Sequence, residues 1–210
     1  MIFLFANQGY GAPFVRTAIA WCRSNCVSLI LVRSFPRRRM HSVRKAAVWT
    51  IESLKHRTSV QLVESVNEDR FWSRIPQGSV GIITGFNQVF KQEIIDRFSE
   101  LVNFHPSLLP FYRGPIPSYW CLVNREKRSG FTLHQVTEKL DAGRIYFQND
   151  VEIHPDDTPA MLDGRIAACA QPTMVAYLEH VVTGAEWVGK SLDAGSIYLN
   201  RVDYRSFPAQ

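Results

Sequence analysis

Between Asn103 and Asp141 this chain of 210 residues sets an amide, an imidazole and a carboxylate among turn-forming residues. Asn103 and His105 lie two apart after an apolar run, so an extended backbone turns both side chains to one face. Pro106, Pro110, Gly114, Pro115 and Pro117 then forbid regular structure and build an irregular wall beside them. A strand-like run, Phe131 to Val136, leads to a loop ending in Asp141-Ala142-Gly143. The amide suits a developing oxyanion, and removing such a donor typically costs about 2.7–4 kcal/mol of barrier. His105 can act as general base or, when protonated, as a second donor. Asp141 can hold the imidazolium or receive a proton through water. Without a paired Ser or Cys nucleophile, the set suits direct acyl transfer between bound partners. Ser107 is close in sequence, but its proline-flanked position favours a cap or a bond to backbone.

The elements that must hold these groups alternate. Ile2–Ala6 reads as a buried strand, followed by a turn over Asn7–Gly11 and an amphipathic helix from about Pro13 to Arg23. Apolar strands recur at Val27–Val32, Val60–Val63, Val80–Thr84 and Leu101–His105, with helices over about Ser42–His56 and Lys91–Phe98. This alternation predicts an α/β fold: a Rossmann-like, mostly parallel sheet with helices on both faces. Tyr119–Asn124 reads as the end of a helix, and Phe131–Val136 and Ile145–Ile153 as two antiparallel strands. His134, on the first of these, reads as structural or supporting. A last helix spans about Thr158 to Val182, with Met161, Leu162, Ile166, Cys169 and Val175 on its buried side and a kink or break at Pro172. The tail from Trp187 to Tyr204 looks like a short extension or hairpin. It repeats KLDAGRIYFQ as SLDAGSIYLN, but no proline wall precedes that copy, so Asp193 is not expected to act.

Composition bounds the function. A hydrophobic content of 46% and a charged content of 20% are ordinary for a soluble globular protein. No apolar run approaches the ~20 residues that span a bilayer, so no membrane partner is expected. The start, MIFLFANQGYG, reads as a first strand and not as a signal peptide. Cys22, Cys26, Cys121 and Cys169 lack paired spacing, which predicts reduced, buried thiols in a cytoplasmic protein and no metal site. The net charge of +5 is partly local, in RSFPRRRMHSVRK. Arg33, Arg37, Arg38, Arg39, Arg44 and Lys45 there form either a solvated loop or a docking surface for anions. The run is short and has no interleaved aromatics, so no nucleic-acid partner is expected.

The segments NFHPSLLPFYRGPIPSYW and GFTLHQVTEKLDAGRI resemble the signature of the folate-dependent formyltransferases, over about Ser79 to Ile153. By that resemblance Asn103, His105 and Asp141 take the family's catalytic positions. Asn103 and a protonated His105 would hold the oxyanion, while Asp141 aids proton transfer. Phe86, Asn87, Gln88, Val89 and Phe90 would surround the pterin of the formyl donor, 10-formyltetrahydrofolate, with Glu138, Lys139 and Leu140 closing its other side. The resemblance implies a catalytic domain over 1–183 and a C-terminal extension over 184–210. The YRG…P…W pattern is most similar to the nucleotide-sugar N-formyltransferases, of the kind used in surface polysaccharide (O-antigen) synthesis. The acceptor would then be a nucleoside-diphosphate-linked amino sugar, met by Gln8, Gly9, Tyr10, Gly11, Ser107, Arg113, Gly114 and Pro115.

Other readings stay open. Methionyl-tRNA formyltransferases resemble this motif but carry a further C-terminal barrel domain, which the short tail after Val182 is not expected to supply. Phosphoribosylglycinamide formyltransferases are similar in length, yet NQGYGAPF lacks the serine of their phosphate loop. Formyltetrahydrofolate hydrolases resemble the core and place a regulatory domain ahead of it, whereas this chain begins at strand one. A nicotinamide site is disfavoured, since NQGYGAPF is not GxGxxG and no acid closes the second strand at Val32-Arg33. A homodimer through the extension is compatible with the chain and not required by it.

Overall fold

The computed structural model describes residues 1–7, 10–34 and 58–184. The expected helix over 42–56, the arginines beyond Arg33, the second DAG copy and the tail lie outside the described residues. Seven strands form one sheet in the order β3-β2-β1-β4-β5-β6-β7. They are β1 (Ile2–Ala6), β2 (Leu29–Ser34), β3 (Ser59–Val63), β4 (Ser79–Thr84), β5 (Phe98–His105), β6 (Arg128–Gln135) and β7 (Ile145–Glu152). The first five run parallel, and β6 and β7 are antiparallel additions on the β5 side. The Rossmann-like expectation holds.

Strand β1 is central because all five of its residues are apolar and buried, as a strand covered on both faces requires. Ile2, Leu4 and Ala6 point to one core, Phe3 and Phe5 to the other. The first core is closed by α1 (Ala12–Ser24) and the last helix, α5 (Pro159–Thr183). The second lies under α2 (Asp69–Trp72) and α3 (Gln92–Ile95), through Phe71 and Ile94. A seven-residue helix, α4 (Pro117–Val123), follows the proline wall and anchors through buried Trp120.

Four local expectations are corrected. Helix α5 runs unbroken through Pro172. Pro172 and Ala168, whose carbonyl loses its partner, both lie on the exposed side, where water can take the bond. Met161 is exposed on that helix while Ala167, Ala170 and Met174 are buried. The cause is that periodicity gives a shared face but not its exact bearing. Cys26 is exposed in the turn after α1, whereas Cys22 and Cys121 are buried and Cys169 is partly so. Arg33 is no part of a solvated loop: it is buried on β2 and donates from Nη1 to the Ala6 carbonyl at 2.7 Å. Among the described residues no helix is long and apolar enough to cross a membrane.

Candidate active site

Strand β5 delivers Asn103 and His105 at its C-terminal end, beside the β1–β4 junction where the strand order reverses. Crevices outside that end of such sheets are where ligands bind. Asp141 arrives from the β6–β7 loop in a left-handed conformation (φ 48°), which an aspartate tolerates better than most residues. Its Oδ2 accepts the Gly114 N–H at 2.8 Å and lies 3.8 Å from His105 Nδ1. The proline wall is pinned to β6 through Thr132, whose hydroxyl donates to the Ser107 carbonyl at 2.6 Å and accepts the Leu109 N–H at 3.0 Å.

Carbonyl partners assign the tautomers. His105 Nε2 lies 2.9 Å from the Tyr112 carbonyl, which can only accept, so Nε2 carries the proton. In the neutral ring Nδ1 is then the lone pair, and it faces Asp141. His134 Nδ1 donates to the Gln135 carbonyl at 2.8 Å, which leaves Nε2 to accept the Asn103 Nδ2–H at 3.2 Å. That bond orients the Asn103 amide with its second N–H uncommitted. His134 Nε2 also lies 3.6 Å from Asp141 Oδ1, so one ring touches two members of the set. His134 keeps the supporting place that the sequence suggested for it. Its register sets it directly opposite Asn103 in the β5–β6 pairing.

Burial dominates the electrostatics. It lowers the His105 pKa from 6.5, and the Asp141 carboxylate and the Tyr112 carbonyl only partly offset this. The imidazole is therefore neutral near pH 7, against the expectation of a protonated His105. Burial pushes Asp141 up, but the charge that His105 takes on at acid pH, the neighbouring His134 and the Gly114 N–H outweigh it and hold the carboxyl well below the usual range.

His105 and Asp141 open on a cleft of about 360 Å³ that is also lined by Phe86, Asn87, Gln88, Val89, Gly114, Pro115 and Leu140. Phe86, Val89, Pro115 and Leu140 give it apolar walls, and Asn87 and Gln88 a polar edge. Asn103, partly buried beside His134, and the other expected site residues do not line it. Phe90 is buried in the second core, edge-on to Phe5 at 5.0 Å, because its side chain points under the loop. Glu138 and Lys139 are exposed on the loop ahead of Leu140. Ser107 is fully buried and its hydroxyl donates to the Phe111 carbonyl at 2.8 Å, so it offers a ligand nothing. Arg113 is buried behind the wall. Tyr10 leans on Phe14 with ring centroids 5.1 Å apart, and Gly11 is buried against the end of β4. Gln8 and Gly9 lie outside the described residues.

A family model described as "Formyl transferase" matches residues 44–178, a span that contains this cleft and all three members of the set. The chain belongs to the formyl transferase family. A methionyl-tRNA formyltransferase of Thermotoga neapolitana is 30% identical over 154 residues, covering 73% of this chain and 42% of that protein. The chain spans about half the length of the curated relatives it matches. Among solved formyl transferases, a sugar N-formyltransferase from Shewanella sp. superposes with a TM-score of 0.76 at 20% identity, over 98% of this chain and 79% of that one. The N-formyltransferase from Helicobacter canadensis, solved with folinic acid and dTDP-3-aminofucose, gives 0.72 at 17% identity, over 96% and 71%.

Proposed function

We propose that the protein moves a formyl group from 10-formyltetrahydrofolate to the amine of an amino sugar carried on a nucleoside diphosphate. The observation that carries this reading is the convergence of His105 and Asp141 on a cleft whose far wall is Phe86, Asn87, Gln88 and Val89. A flat heteroaromatic ring fits between its apolar walls and bonds its polar edge, and the cleft falls within the range of about 300–1,000 Å³ usual for small-molecule sites. The 3.8 Å between His105 Nδ1 and Asp141 Oδ2 is too long for a direct bond and leaves the lone pair open to a substrate proton.

The chemistry follows from those positions. Neutral His105 takes a proton from the acceptor nitrogen as that nitrogen bonds the formyl carbon. The uncommitted N–H of Asn103 receives the carbonyl oxygen as it becomes an oxyanion. Asp141 stabilises the imidazolium so formed. When the carbonyl re-forms and the folate nitrogen departs, the proton returns to that nitrogen, giving formamide and tetrahydrofolate. The sugar class is supported by the YRG…P…W segment and by what the Shewanella and Helicobacter proteins are named for.

The curated relatives favour a second acceptor, methionyl-tRNA. Incubation with 10-formyltetrahydrofolate and, separately, nucleoside-diphosphate amino sugars, methionyl-tRNA or water alone distinguishes them, read by mass spectrometry and folate absorbance. Formylated sugar supports the proposal. Formylated tRNA alone moves the assignment to the second acceptor, formate alone to a hydrolase, and no turnover ends both.

A further inference from the structure

We propose that Arg113 is an anion clamp on the acceptor side, where its guanidinium grips a phosphate-type oxyanion of the molecule whose amine is formylated. The proposal rests on the N-formyltransferase reading above. Arg113 is only 7% exposed, its Nε is buried without a hydrogen-bond partner, and it makes no ion pair among the described residues. A guanidinium cannot shed its proton, and a buried cation without a counter-charge is costly. Other arginines here are answered. Arg33, still more enclosed and likewise without a hydrogen bond on Nε, donates from Nη1 to the Ala6 carbonyl, and Arg165 forks onto both oxygens of Asp157 at 2.6 and 2.7 Å. Arg113 is the same chemical group left waiting.

Its place in the chain ties that unpaired cation to the site. The carbonyl of the residue before it, Tyr112, holds His105, and the N–H of the residue after it, Gly114, holds Asp141. The Arg113 backbone is therefore fastened to both groups that flank the reacting atoms. Its positive charge is felt at His105, which places the guanidinium within electrostatic reach of the imidazole. Gly114 and Pro115 line the cleft with Phe86 and Leu140, but Arg113 does not, so an anion on it lies apart from the flat-ring pocket. The guanidinium fork matches two phosphate oxygens at once, and a diphosphate-linked acceptor carries them.

Inorganic pyrophosphate is the probe, titrated into the purified full chain by calorimetry, with 5-formyltetrahydrofolate titrated in parallel. The unaltered protein binds pyrophosphate. Arg113→Gln weakens that binding at least tenfold and leaves the folate affinity within twofold, which also reports a folded chain. Arg113→Lys, keeping the charge without the fork, falls between. Pyrophosphate binding that is undetectable in the unaltered protein, or unchanged in Arg113→Gln, overturns the clamp. So does a variant that loses folate and keeps pyrophosphate, because the anion then belongs to a donor carboxylate. If Arg113→Gln does not fold, undiminished binding in Arg113→Lys overturns it equally. Formyl transfer is not needed for this readout, so a clamp that binds pyrophosphate in a chain that formylates nothing condemns the function and leaves the anion site standing.

Discussion

The Tyr112 carbonyl decides which nitrogen of His105 is left to accept a proton, because an oxygen that only accepts must take the Nε2–H and turn the Nδ1 lone pair toward Asp141. Removing that base with His105→Gln is expected to lower kcat by about 10²–10⁴-fold in a folate-absorbance assay with the acceptor saturating. His134 acts one step back: its Nε2 sets the Asn103 amide. His134→Phe keeps the bulk and loses the acceptor, so kcat should fall about tenfold or more with KM for folate unchanged, as oxyanion donors act only in the transition state. The same pair of titrating groups sets the acid stability. The folded His105 pKa lies below 6.5, so from pH 6.5 down to its folded value the unfolded chain binds the extra proton and stability falls. Asp141 is depressed below 3.8, so its contribution is present above that pH and is lost as the pH falls further toward its folded value. Scanning calorimetry from pH 7 to about 2 should show both losses in the unaltered protein. His105→Gln flattens the upper one and Asp141→Asn the lower; an unchanged profile in both refutes the assignment.

The loop between β6 and β7 must pass very close to β6 to bring Asp141 under His105. A Cβ on Gly143 would stand 1.9 Å from the Gln135 carbonyl oxygen, and that oxygen belongs to backbone that cannot swing away. Gly143→Ala should therefore cost about 1–3 kcal/mol through overpacking. At roughly 2–4 °C per kcal/mol for a chain of this size, the melting temperature drops by several degrees. It should also cut kcat, because Asp141 moves with the loop; a melting loss with kcat intact would uncouple the two. This element was legible in part. The alternating Thr132-Leu133-His134 run and the DAG turn announced a hairpin, and β1 and β4 were evident as apolar runs bounded by turn residues. Asn103, His105 and Asp141 stood out because their types and spacing are chemical, and the structure sets His105 and Asp141 on one cleft with His134 linking them to Asn103. Phe90 could not, since a loop aromatic looks alike whether it faces a ligand or, as here, tucks onto Phe5. The bond of Ser107 to backbone was legible from its proline flanks, although its acceptor, the Phe111 carbonyl, depends on how the wall folds back.

Across the whole molecule, the cleft is assembled from segments far apart in the chain: Phe86 to Val89 after β4, His105 at the end of β5, Gly114 and Pro115 in the wall, and Leu140 and Asp141 after β6. They meet only because β4, β5 and β6 are neighbours in one sheet. Unfolding disperses them, so a donor analogue binds the native state alone and must raise its stability by mass action. At a hundred times its Kd, 5-formyltetrahydrofolate should add about 2.7 kcal/mol. With roughly 2–4 °C per kcal/mol, the melting temperature rises by about 5–11 °C. Val89 lines the same cleft yet is 59% exposed, so replacing it disturbs no core. Val89→Asp sets a carboxylate on an apolar wall and should erase most of that rise while leaving the melting temperature of the free protein within about a degree, as surface substitutions usually do. An undiminished rise in Val89→Asp would mean that the folate sits elsewhere, and the pairing of donor cleft with His105 and Asp141 would have to be given up.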